Sequence, residues 1–139
     1  MMKSCSKSIL SLLVFGLCAA WLAGCTTVQP KPGETFACGP VDEQICAEAE
    51  LAALTCEFKT WEGADVLHFN VAVKNLSDQP QRFKVNLFLD NGKAVGGLLP
   101  RKTKKGLIAP GQTASFTYPV GGMTTTPESV ALMIKTMGR

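Results

Sequence analysis

The sequence predicts a mainly β chain, an antiparallel β-sandwich of about six or seven strands preceded by one short helix. Two observations carry this. From residue 67 onward apolar residues recur at every second position, in segments separated by turn-forming residues. Ahead of them, Val41 to Leu54 has helical spacing. No strand–helix–strand rhythm calls for a parallel sheet.

The N-terminus reads as an export signal. Lys3 and Lys7 form a basic start, and no acidic residue precedes position 34. Ile9 to Leu22 is apolar and too short to span a bilayer, which takes ~20 residues. Leu22-Ala23-Gly24-Cys25 closes the run and resembles the lipobox of bacterial lipoproteins. The resemblance implies that residues 1–24 are a signal peptide and that Cys25 carries a diacylglycerol thioether. Residues 25–40 then form a lipidated tether with Pro30 and Pro32, and residues 41–139 form the helix and sandwich. Thr26 stands where an inner-membrane lipoprotein of a Gram-negative host would carry Asp. The expected location is therefore the outer membrane, facing the periplasm. What remains after the signal suits one small domain.

Pro40-Val41-Asp42-Glu43 supplies the proline and acidic residues favoured at a helix start. Ile45, Ala49 and Ala52 share one helical face, and Glu43 and Glu50 lie opposite. Cys56 to Trp61 reads as a short strand. Leu67, Phe69, Val71 and Val73 then alternate with His68, Asn70, Ala72 and Lys74. Phe83, Val85, Leu87 and Leu89 alternate with Lys84, Asn86, Phe88 and Asp90. Ala114, Phe116, Tyr118 and Val120 form a further strand, and Val130, Leu132 and Ile134 the last. Asn75 to Pro80, Asp90-Asn91-Gly92 and Pro110-Gly111 are turns. Val95 to Ile108 breaks the rhythm and reads as a long crossover or an irregular edge strand with a basic tip. That tip, Arg101, Lys102, Lys104 and Lys105, is the candidate partner-binding site, and its lysines also suit an edge guard.

An exported chain keeps Cys38, Cys46 and Cys56 in an oxidising compartment, so they are the disulfide candidates. On a helix running to Cys56, Cys46 and Cys56 would stand ~15 Å apart. That leaves Cys38 paired with either Cys46 or Cys56. The formal charge of +3 is polarised: residues 26–65 hold eight acidic and two basic groups, and residues 66–139 three acidic and ten basic. Either the two parts neutralise each other in one domain, or the polarity orients the molecule against a charged partner.

Catalysis is not expected. His68 is the sole histidine and its alternation places it on an exposed face. No hydrolase, zinc-protease or P-loop motif is present. No metal ligation or cofactor is expected; Met123, Met133 and Met137 suggest copper(I) only weakly, since Met133 and Met137 lie in an apolar C-terminal strand and read as core packing. Trp61 and Tyr118 are assigned to the core. The basic tip lacks interleaved aromatics, which argues against nucleic acid.

Val71-Ala72-Val73-Lys74-Asn75, Val85 to Gly92 and Leu107-Ile108-Ala109-Pro110-Gly111-Gln112 resemble the immunoglobulin-like domains of the FxLYD type and the YcfL-like periplasmic lipoproteins. Val85 stands where the FxLYD pattern has Phe, and Leu89 adds a residue before Asp90. The resemblance implies an immunoglobulin-like sandwich. It also implies a non-catalytic binding or scaffold role, with the membrane and another envelope protein or anionic envelope surface as partners. The alternatives are a pilotin-like or secretion-system assembly accessory, and a carrier of a small ligand or metal in a pocket between helix and sheet.

Overall fold

A computed structural model describes residues 30–101 and 106–137. Eight strands run in chain order: β1 (Thr35–Phe36), β2 (Val41–Ile45), β3 (Ala49–Trp61), β4 (Ala64–Asn75), β5 (Phe83–Leu89), β6 (Ala94–Leu99), β7 (Thr113–Pro119) and β8 (Val130–Thr136). They form two four-stranded sheets, ordered β1-β3-β4-β7 and β2-β8-β5-β6. All pairs are antiparallel except β2 with β8, which is parallel. The signal peptide, Cys25 and the first part of the tether lie outside the described residues.

Alternation accounts for the strands. Phe69, Val71 and Val73 of β4, Val85 and Leu87 of β5, and Leu132 and Ile134 of β8 point inward into one shared core and are almost wholly buried. Residues on the other face are wetter along β5, β8 and the second half of β4, as period-two patterning requires. Burying such side chains stabilises by roughly 1.5–3 kcal/mol each.

The expected helix over Val41 to Leu54 is absent. That segment is β2, a turn closed by the Ala49 amide donating to the Cys46 carbonyl (3.1 Å), and the first part of β3. The misleading spacing has a physical source. The register of β3 on β4 shifts between Leu51 and Ala53, so Ala52 is a bulge residue. The bulge puts Leu51 and Leu54, three positions apart, on the same face against the core, imitating a helical interval. Pairing on both sheets outweighs the helix propensity of Ala, Glu and Leu. The parallel β2–β8 pair is a second departure from the all-antiparallel expectation; the chain reaches β2 first and β8 last, so no tight hairpin joins them.

Cys38 is bonded to Cys56, with Cα atoms 5.1 Å apart. The bond ties the segment between β1 and β2 to β3, across the space where the chain passes from one sheet to the other. Of the two open pairings for Cys38 the structure holds the one to Cys56, and Cys46 is a free, half-buried thiol. Burial and then the Glu48 carboxylate push that thiol up, which disfavours its thiolate form.

At the end of β4 the fully buried Asn75 side chain makes four hydrogen bonds. Its Nδ2 donates to the carbonyls of Gln79 and Ile108 (both 2.8 Å), and its Oδ1 accepts from the Ser77 amide (2.9 Å) and hydroxyl (2.8 Å). Its backbone takes part too, donating to Gln112 and accepting from Gly111. One residue thus joins the 76–80 turn, the 109–112 turn and the Gln81–Ile108 bridge.

Replacing Asn75 by Ala is expected to cost roughly 2–3 kcal/mol in urea unfolding, because a buried side chain with four hydrogen bonds is removed and the Ser77 amide loses its acceptor. Ser77→Ala is expected to cost about 1 kcal/mol or less, since its amide keeps the Asn75 acceptor. Serine at both Cys38 and Cys56 is expected to cost about 3 kcal/mol through the opened loop, whereas Cys46→Ser changes stability by under about 1 kcal/mol.

Candidate binding face

The two outer faces differ in chemistry. On the sheet of β3, β4 and β7, side chains satisfy one another. Asn70 donates to Glu57 (3.2 Å) and accepts from the Thr117 hydroxyl (2.6 Å); Thr60 donates to Asp65 (2.7 Å), and Lys74 lies 4.0 Å from Glu50. His68 belongs to this face but is buried, contrary to the exposed position expected from alternation. Its Nδ1 donates to the Val66 carbonyl (2.9 Å) in the tautomer that carries the proton there, and the Trp61 ring stands edge-on beside it. Trp61 in turn is 46% exposed rather than in the core.

The other outer face carries an apolar patch among polar residues. Register fixes three tiers across β8, β5 and β6. Ala131, Phe88 and Ala94 form the first, Met133, Asn86 and Gly96 the second, and Lys135, Lys84 and Leu98 the third. Phe88 is 45% exposed, and Leu98 and Met133 are half-buried. Met133 and Met137 therefore lie at the surface, not in the core; Met123 is the buried one, its Sδ accepting from Asn91 (3.0 Å). β2 extends the first two tiers with Asp42 and Gln44.

β6 closes this sheet at one edge and pairs only with β5. Its sequence, Ala-Val-Gly-Gly-Leu-Leu, carries no charge. Gly96 has φ +155°, and a Cβ there would run into the Val85 carbonyl oxygen, so the position must stay bare. The result is a notch between Ala94 and Leu98 on the outer face. Gly97 faces inward, with room for a Cβ only at van der Waals distance from the Tyr118 ring and the Arg101 side chain.

Of the sequence-predicted basic tip, Arg101 is described; Lys102, Lys104 and Lys105 lie outside the described residues. Arg101 is exposed and sits over the Phe116 ring, 4.8 Å from its centroid, which lays the chain beyond β6 onto β7. Lys93 flanks the other end of β6 and donates to the Gly121 carbonyl (2.9 Å). The described cations Lys93 and Arg101 stand beyond the two ends of β6, and the strand itself carries no charge. Phe88 and Leu98 were not singled out from the sequence as site residues, although Phe88 carried a signal as an aromatic on the polar register of its strand.

Among the described residues no three His, Cys, Asp or Glu side chains converge on a metal position. A shallow groove of about 460 Å³ runs along Pro40–Asp42 and Ser129–Ala131, beside β2. Among the described residues there is no helix to form the helix–sheet pocket expected for a carrier. No family model, curated protein or solved structure matches the chain.

Tyr118, the sole tyrosine, is buried beneath this edge, and its hydroxyl has no hydrogen-bond partner among the described residues. Burial pushes its pKa from 10.0 up to about 12, with Arg101 opposing. A folded-state pKa above the unfolded one means the contribution is intact below pH 10 and is lost as pH rises toward 12. Unfolding across that window is expected to show a loss of roughly 2–3 kcal/mol that Tyr118→Phe abolishes. At neutral pH the same variant is expected to be about 1 kcal/mol more stable, because it removes an unpaired buried hydroxyl.

Proposed function

We propose that the chain is a lipid-anchored protein of the bacterial envelope whose domain is a non-catalytic binding module. Cys25 holds it to the outer membrane and the tether carries the sandwich into the periplasm. The observation that carries the binding reading is the β6 edge: an uncharged strand with bare Gly96, bordered by cations and continuous with an exposed apolar patch. Main-chain groups on such an edge pair with an added strand, and alternate side chains give specificity.

Strand order supports the immunoglobulin-like assignment. If β3 to β8 are taken as strands A, B, C, C′, E and F, then β4 pairs with β7 as B with E, and β5 with β8 as C with F. β2 lies along β8, where strand G would lie, and fills that position from the N-terminal side. A fold of this kind presents edges and end loops for contacts and does not itself specify a reaction.

Two experiments test the reading separately. Cys25→Ala is expected to move the protein from the membrane fraction to the soluble periplasm; retention in the membrane would remove the lipid anchor. Charge reversal at Arg101, Lys102, Lys104 and Lys105 is expected to lower partner recovery in affinity capture from crosslinked cells by roughly tenfold, with the fold unchanged by circular dichroism. Full recovery would reduce the basic tip to an edge guard.

A further inference from the structure

The two edges of the β2-β8-β5-β6 sheet differ in a way that suits each to the other. β2 is five residues long and exposes Asp42, Glu43 and Gln44, without a cation. β6 is six residues long, carries no charge of its own, and has Lys93 and Arg101 at its ends and Lys84 beside Leu98 on its neighbouring strand. Neither Asp42 nor Glu43 forms an ion pair; among the described residues that pairing is confined to Lys74 and Glu50.

Like edges are disfavoured. Two β6 strands side by side and antiparallel would bring Lys93 of one copy toward Arg101 of the other. Two β2 strands would set Asp42 and Glu43 against the same acids. Like charges placed opposite each other are destabilising, so the pattern selects the unlike pairing. Both strands belong to the same sheet, at its two ends. Joining them continues that sheet from one molecule to the next at the ordinary strand spacing.

We propose that a second copy of this chain occupies the β6 edge, its β2 strand added to β6, so that molecules assemble head to tail. This rests on the binding-module reading and names the partner for its edge. The interface is heterologous, because the patch on one copy differs from the patch it meets on the next. Such pairing does not stop at a dimer; it produces a ring or an open row of domains. β2 is not swapped out of its own sheet, since the Cys38–Cys56 bond precedes it and a short turn follows it.

The test is sedimentation velocity on the full-length chain in mild detergent, over a range of concentrations at low and high salt. At low salt the weight-average mass is expected to rise at least roughly twofold with concentration, and the rise is expected to disappear as salt screens the flanking charges. Two double variants follow, Asp42→Lys with Glu43→Lys, and Lys84→Glu with Arg101→Glu, each checked for an unchanged circular dichroism spectrum. Each alone is expected to sediment as a monomer, and an equimolar mixture is expected to assemble again, in alternation. Wild-type protein that stays monomeric at low salt overturns the proposal, as do reversed variants that assemble unaided or a mixture that remains monomeric. If the wild type is monomeric but crosslinked cells still yield a partner dependent on the β6 flank, self-pairing fails and the binding module stands. If that capture also fails, both fail.

Discussion

Asn75 is the constraint on which the arrangement of this molecule depends. It ends β4, a central strand of one sheet, and fixes the Ile108 carbonyl at the far end of the 100–108 segment that leaves β6 in the other. The Gln81–Ile108 bridge there is an isolated one, and the carboxamide adds two donors and an acceptor at once. A buried polar group with every bond made is specific to one geometry in a way that an apolar contact is not. Ile108 is thereby held by a residue on the opposite sheet.

The same division of labour runs through the sandwich. One sheet closes its outer face with paired polar side chains, the Glu57–Asn70–Thr117 ladder above all. The other leaves Phe88, Leu98 and Met133 partly open and ends in an uncharged strand. Bringing that apolar patch against a partner would remove area worth roughly 25 cal/mol per Å² before the costs of association. The bare Gly96 is held by the Val85 backbone, so the notch is built into the β5–β6 pairing and does not depend on a flexible side chain.

Much of this was readable from residue order. Alternation located the core faces of β4, β5, β7 and β8, and Asn75 and the Asp90-Asn91-Gly92 turn announced themselves as strand ends. The segment from Val41 to Leu54 did not, because one bulge at Ala52 converts strand periodicity into a three-residue interval that a helix also shows. His68 misled for a different reason: its strand register was right, but burial on an outer face depends on neighbours from elsewhere in the chain, such as Trp61. The face that carries Phe88 was hidden too. A face is composed of tiers from several strands, and only the register of β6 and β8 on β5 puts Phe88, Leu98 and Met133 on one side.

The central claim is that β6 receives an added strand. Amide hydrogen exchange, read peptide by peptide on the full-length protein in its native membranes and again after detergent dilution to single molecules, addresses it most directly. Amides of Ala94–Leu99 are expected to exchange more slowly in the membranes than in the dispersed protein, while those of the buried β4 stay equally protected in both. Equal exchange of β6 in the two states, or protection gained only on the polar β3-β4-β7 face, would contradict it.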